Sequence, residues 1–249
     1  MIPTEETGLL QQYYEGVRAS GYSRQPISKM QKNYQTVLFD LDGTINDSGP
    51  GIMKSVQYAL DRFGLKNEPE SRLRKFVGPS LLYSFTTYYG MTEPEAMEAV
   101  RYYREYYPVK GIFDLTVYPG IREVMTRLQE NGKKLILVTS KPHVLADRIL
   151  EHFDLGKYFD YTTGPELNDH SSEKVRLIEQ AISACSLNRA EMIMVGDTHF
   201  DIDGAAAAGI DSIGVTYGYG TREELVRAGA SYLADRAEEI LPIVLPERK

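Results

Sequence analysis

The chain's first residues with chemical promise are Asp40-Leu41-Asp42-Gly43-Thr44. They close the apolar run Thr36-Val37-Leu38-Phe39, which reads as a strand buried on both faces. Side chains alternate along a strand, so Asp40 and Asp42 project to one side. Two carboxylates emerging together repel each other unless a cation joins them, and a hard, oxygen-seeking ion such as Mg2+ suits that pair. Gly43 lets main chain approach a phosphate closely. The same letters also describe an ordinary turn, because Asp-Gly is common there.

Three later segments extend the inventory. Thr139-Ser140-Lys141 closes the apolar run Lys134 to Val138, where hydroxyl and main-chain N–H groups can donate to phosphate oxygens. Taken alone, it is also an ordinary cap for the next helix. Lys174 opens a helical pattern, where a cation opposes the helix dipole unless an anion lies close by. A solvated surface lysine is the plain alternative. Gly196-Asp197-Thr198-His199-Phe200-Asp201 follows the strand-like Met192 to Val195. Asp197 and Asp201, four apart at a loop-to-helix junction, can face one site, one as a metal ligand and one supporting it. Either would also serve as a helix N-cap.

These segments need elements to bring them together. Ser212 to Val215 is a further strand-like run, and Tyr158 to Thr162 and Ser231 to Leu233 are weaker ones. Helical patterns alternate with them at Ile121 to Gln129, Val144 to His152, Lys174 to Ala184, Ile202 to Ala208 and Glu223 to Ala228. Such alternation predicts an α/β fold, a Rossmann-like parallel-sheet core with helices on both faces. Open sheets of this kind bind ligands at the carboxyl ends of their strands. Between Pro50 and Tyr107 the strand signal disappears. Ile52, Val56, Ala59 and Leu60 form one amphipathic stripe, followed by helical stretches at Leu73 to Val77, Leu81 to Tyr88 and Pro94 to Tyr107. The expected division is an extension over 1–33, a core over 34–46 and 118–249, and an all-helical cap over 47–117. In the extension, Leu9, Leu10, Tyr13, Tyr14 and Val17 fall at spacings one helix face would use.

Bulk properties narrow the function classes. Of 249 residues, 42% are hydrophobic, enough for a sizeable core. A net charge of -7 disfavours a nucleic-acid polymer as partner. The lone Cys185 excludes an intramolecular disulfide and suits a cytoplasmic setting. No apolar run approaches the roughly 20 residues of a membrane span. The first residues lack the basic and apolar regions of a signal peptide.

Taken in order, the four chemical segments resemble the signature motifs of the haloacid dehalogenase superfamily, in its phosphoglycolate-phosphatase-like branch, over about residues 34–240. Phe76-Val77-Gly78-Pro79 with Leu81-Leu82, and Val215 through Leu225, resemble that branch as well. In the second stretch Thr221 and Glu224 also form a capping box. Asn46 departs from the pattern, where the family more often has an apolar residue.

The resemblance implies a Mg2+-dependent phosphatase that forms an aspartyl phosphate on Asp40, with Asp42 as acid and base. Asp40, Asp42 (through its main-chain carbonyl) and Asp197 would hold Mg2+. Gly43, Thr139, Ser140, Lys141 and Lys174 would bind phosphate, and Asp201 would orient Lys174 or a metal-bound water. Gly78 and Pro79 would enter the site from the cap and read the leaving group. The cap tyrosines, among them Tyr83, Tyr88, Tyr89, Tyr102, Tyr103, Tyr106 and Tyr107, are cap core or a stacking platform. The implied partner is a small phosphorylated metabolite, with the protein a monomer or homodimer. A 5′-nucleotidase, a sugar-phosphate mutase and a scaffold that kept the fold are the alternatives.

Overall fold

A computed structural model describes residues 32–167, 169 and 173–246. The readings made for the first 31 residues and for Ser171-Ser172 lie outside them.

Six parallel strands form the central sheet. In chain order they are β1 (Thr36–Phe39), β4 (Lys134–Val138), β5 (Tyr161–Thr163), β6 (Met192–Gly196), β7 (Asp211–Val215) and β8 (Tyr232–Ala234), and across the sheet they run β5-β4-β1-β6-β7-β8. Two shorter strands, β2 (Asn46–Asp47) and β3 (Thr116–Val117), pair antiparallel in a ribbon of their own. The sheet residues of β1 alternate faces as the apolar run predicts. Val37 and Phe39 join the larger apolar cluster, and Leu38 joins the smaller one on the other side. All four β1 residues are buried, which is why the run is continuous rather than alternating.

Helices cover both faces. α5 (Ile121–Glu130) and α6 (His143–His152) pack into the larger cluster through Val124, Leu128, Ile149 and Leu150. α10 (Ile240–Val244) joins them through Ile240 and Val244. α7 (Lys174–Cys185) and α8 (His199–Ala207) fill the other side with Leu177, Ile178, Ala181 and Ala205. α9 (Arg222–Arg227) starts at the Thr221–Glu224 capping box read in the sequence. Burial of these apolar faces, at roughly 25 cal/mol per Å2, is the main stabilising term.

Between β2 and β3 the chain is helical: α1 (Gly49–Asp61), α2 (Glu70–Leu73), α3 (Leu81–Tyr89) and α4 (Glu93–Tyr106), with short turns of tighter or wider helix at Arg74–Phe76 and Tyr107–Gly111. Ser80 caps α3 and Gly90 ends it in the left-handed region at φ 63°. The insertion's apolar residues, including Val56, Phe76, Phe85, Val100 and Tyr107, belong to the same cluster as the larger face of the sheet. Among the described residues no helix is long and apolar enough to cross a membrane.

Differences from the sequence reading lie at element ends and in short elements it did not contain. The β2–β3 ribbon and α10 carry too few residues to produce a periodic signal. α8 starts at His199, three residues before the Ile202 at which the sequence reading began it, because Thr198 and Asp201 form its capping box.

One close approach sets the insertion's geometry. A Cβ on Gly51 would lie 2.0 Å from the Gly111 carbonyl oxygen. Gly51→Ala therefore destabilises the protein by about 1–3 kcal/mol, the usual cost of overpacking. Differential scanning calorimetry should show a melting temperature lower by about 2–4 °C for each of those kcal/mol.

Candidate active site

Strand register assembles the site. β1 pairs with β4 through Phe39 and Leu137, and with β6 through Phe39 and Val195. The next residue, Asp40, therefore leaves β1 beside the ends of both neighbours, and its N–H donates to the Val195 carbonyl at 3.0 Å. Thr139 follows β4 and Asp197 follows β6, so three strand ends deliver side chains to one edge. Lys174 is the first residue of α7 and reaches that edge from one face.

Every buried charged residue among the described ones lies in this cluster: Asp40, Asp42, Asp197, Asp201, Lys141 and Lys174. Lys174 Nζ lies 2.7 Å from Asp40 Oδ1 and 2.9 Å from Asp201 Oδ1, and it also donates to the Val138 carbonyl at 3.1 Å. Lys141 Nζ lies 2.9 Å from Asp42 Oδ2 and 2.5 Å from the Tyr107 hydroxyl, which the insertion supplies. Asp201 Oδ2 accepts from the Thr198 N–H at 3.1 Å and from its hydroxyl at 3.0 Å. Among the described residues Asp197 has no such cation. Its carboxylate accepts from the Tyr219 N–H at 2.8 Å and from the Thr44 hydroxyl at 3.3 Å.

The electrostatics follow. Burial pushes the Asp40 carboxyl up to about 7; the Lys174 ammonium pulls against that shift, while Asp201 and Asp42 add to it. Burial also holds Asp197 well above the carboxylate range, reinforced by Asp201 and Asp40. Burial works against the charge on Lys174, yet Asp201 and Asp40 outweigh it and raise its pKa.

A divalent cation fits these residues. Fully ionised, the four buried carboxyls would outnumber the two buried ammonium groups by two charges, which a divalent cation would meet. One oxygen each from Asp40, Asp197 and Asp201 lie within 4.8 Å of one another. Those are hard oxygen donors, the set that Mg2+ takes. Glycine makes room beside them: a Cβ on Gly43, at φ 89°, would lie 2.1 Å from Asp197 Oδ2.

The other expected residues fall as follows. The Thr139 hydroxyl is buried and accepts from the Lys141 N–H at 3.1 Å, leaving its proton to donate. Ser140, Lys141, Gly78 and Pro79 line a cavity of about 90 Å3 that reaches Asp42. Gly78 adopts φ 108°, and a Cβ there would sit 3.4 Å from Thr198. Asp42 Oδ1 is buried without a hydrogen-bond partner among the described residues. The side chain of Asp42 turns to Lys141, so of Asp42 only the main-chain carbonyl is left to serve as the expected metal ligand.

Of the insertion residues at this cavity, the sequence reading named Tyr103 and Tyr107 as cap core or stacking platform and missed Arg104. Tyr107 and Tyr103 stack with ring centroids 5.1 Å apart and line the cavity, as does Arg104 on the same helix. Only Tyr103 and Tyr107 of the named insertion tyrosines do so. Their spacing of four on an apolar face was the available signal, but it matches packing equally well. Thr44 was read as part of the first motif without its link to Asp197.

Comparison with known proteins completes the description. The family description "Haloacid dehalogenase-like hydrolase" matches residues 37–215. A Pseudomonas aeruginosa protein named 5′-nucleotidase is 40% identical over 82% of this chain and 93% of its own. A Mycobacterium tuberculosis protein named Tyrosine-protein kinase PtkA is 32% identical over 82% of this chain and 69% of its own. A Vibrio parahaemolyticus phosphoglycolate phosphatase is 28% identical over 86% and 97%. The crystal structure of a predicted phosphatase from Clostridium acetobutylicum superposes with a TM-score of 0.84 at 43% identity, covering 86% of this chain and 100% of that one.

Removing the unpaired carboxylate should relieve the site. The raised pKa of Asp197 means that its charged form costs folding free energy. Stability contributed at low pH is therefore lost as pH rises from the unfolded pKa through the folded one. In chelator, Asp197→Asn is expected to melt above the wild type at pH 7.5, with the gap closing towards pH 4. Melting curves across that range check it, and a variant that melts lower throughout contradicts the charge argument.

Proposed function

The chain belongs to the haloacid dehalogenase-like hydrolase family, and we propose that it hydrolyses a small, phosphoglycolate-type phosphate monoester through an aspartyl phosphate on Asp40, with Mg2+ as cofactor. One observation carries this reading. All the buried charge of the described chain gathers at one sheet edge, around Asp40, in the pattern that phosphoryl transfer needs.

In the first step an Asp40 oxygen attacks phosphorus in line, the bond to the leaving oxygen breaks, and Asp42 gives that oxygen its proton. In the second, water attacks phosphorus and loses a proton to Asp42, and the bond to Asp40 breaks to release phosphate. Lys174 and the Thr139 hydroxyl hold non-bridging oxygens, with the Ser140 and Gly43 main chain beside them. Asp201 fixes Lys174, to which it lies at 2.9 Å. Lys141 lies 2.9 Å from Asp42 Oδ2 and holds that carboxyl in place. Mg2+ held by Asp40, the Asp42 main-chain carbonyl and Asp197 would offset repulsion between substrate phosphate and these carboxylates.

Residues 47–117 act as a cap over a core of 34–46 and 118–249, with Gly78 and Pro79 facing the leaving group. The 90 Å3 cavity favours a small one. A void of about 150 Å3 holds a single benzene ring, so a nucleoside would need the cap to move away. The Pseudomonas relative's name supports nucleoside 5′-monophosphates as the second reading, and the cap tyrosines would then stack on the base. A cytoplasmic phosphorylated metabolite is the expected substrate in either case.

Activity on p-nitrophenyl phosphate should require Mg2+ and vanish in chelator. Asp40→Asn should lower kcat at least about a thousandfold while circular dichroism stays unchanged, as expected for loss of a nucleophile. Equal rates with and without Mg2+, or substantial activity in that variant, would refute the mechanism. A screen comparing kcat/KM for phosphoglycolate and nucleoside monophosphates decides the substrate. Product analysis on a hexose phosphate, and with ATP and a tyrosine peptide, separates hydrolysis from mutase and kinase activity.

A further inference from the structure

The loop between β7 and α9, Thr216 to Thr221, makes contacts that phosphate chemistry at Asp40 does not call for. On one side it packs against Asp197. A Cβ on Gly218 would lie 2.4 Å from the Asp197 Cβ, and one on Gly220 would lie 2.1 Å from the Asp197 carbonyl oxygen. Between those glycines, the Tyr219 N–H donates to Asp197 Oδ2 at 2.8 Å. Glycine is needed at both flanks because no side chain fits between this main chain and the strand end.

On its other side the same loop holds both linkers of the helical insertion. The Tyr219 hydroxyl donates to Asp47 and accepts from the Gly49 N–H at 2.8 Å, gripping the incoming linker. A Cβ on Gly49 would lie 2.2 Å from that hydroxyl. The Tyr217 ring meets Tyr118 of the outgoing linker edge-on, with centroids 4.9 Å apart, and its hydroxyl donates to the Thr44 carbonyl at 3.0 Å. The insertion answers from within. Arg74 donates to the Gly218 carbonyl at 3.3 Å, and its guanidinium lies 4.7 Å from the centre of the Tyr219 ring.

We infer that Tyr219 is a positioning residue that couples the orientation of the helical insertion to the geometry of Asp197. This rests on the reading that Asp197 holds Mg2+ and that the insertion is a cap. A single residue has its main chain on the metal-holding carboxylate and its side chain on the insertion's hinge. Rotating the insertion away withdraws Arg74 and strains the grip on Asp47 and Gly49, and the loop shift reaches Asp197 directly through one N–H. Linkage makes the effect mutual: a cation that fixes Asp197 steadies the linkers, and a steadied linker strengthens the hold on the cation. The insertion's arrival over substrate would then coincide with a fully formed cation site.

The test uses the full chain, MgCl2 and Tyr219→Phe, which keeps the ring and the main-chain N–H but lacks the hydroxyl. Melting temperature as a function of Mg2+ gives an apparent dissociation constant, and backbone hydrogen exchange reports on residues 45–51 and 115–119. In the wild type, Mg2+ should slow exchange in both linker segments. In Tyr219→Phe that slowing should disappear and the dissociation constant should rise about fivefold or more, the lower end of usual coupling. Arg74→Gln, which weakens the same grip from the insertion, should reduce the slowing too, and it carries the test if Tyr219→Phe does not fold. Mg2+ that binds the wild type without slowing linker exchange, or slows it equally in the variants, overturns the coupling and leaves the cation reading standing. A wild type whose melting temperature ignores Mg2+ overturns both.

Discussion

Four carboxylates and two ammonium groups buried together are the constraint on which this molecule turns. Each charge loses hydration that only a partner at close range can replace. Lys174 between Asp40 and Asp201, and Lys141 against Asp42, supply part of that replacement. The remainder falls on main-chain N–H groups and on hydroxyls, such as those of Tyr219 and Thr44 at Asp197. A fold that buries such a group has to be rigid beneath it. A fully parallel sheet with its strands buried on both faces meets that demand, because register alone fixes where three strand ends stand.

The insertion completes the cluster from above rather than standing apart from it. Tyr107 reaches Lys141, and through Lys141 it bears on Asp42. Gly78 lies against Thr198, next to Asp197. The groups assigned to proton transfer and to cation binding thus each have a neighbour in the insertion. Among the described residues, the side-chain partners of Asp40 and Lys174 come from the core segments instead.

Much of this was legible in the amino-acid order, and for identifiable reasons. β1, β4 and β6 are apolar runs long enough to stand out, and each is followed at once by the residue it delivers. Asp40, Asp42, Lys141 and Asp197 were therefore found by position relative to a strand, and Lys174 by its place at the head of a helical pattern. What stayed hidden depends on contacts between distant segments. Thr44 and Tyr219 were in view as letters, but nothing local says that both meet Asp197. Tyr103 and Tyr107 share the spacing of packing residues, and they do pack; that they also face a cavity is a property of how α4 sits on the core. The β2–β3 ribbon was invisible because two-residue strands have no period.

That ribbon has a consequence for how such chains diversify. Asn46 pairs with Val117 and Asp47 with Thr116, so the chain leaves the sheet and returns to it through adjacent, hydrogen-bonded strands. To the sheet, everything between them is a single long hairpin whose ends are already joined. Closure entropy grows only as the logarithm of loop length, so about 0.6 kcal/mol accompanies each doubling. Segments of very different size can be exchanged above the ribbon while the strands below keep their register. Ancestral chemistry can in this way be inherited intact as new leaving groups are sampled.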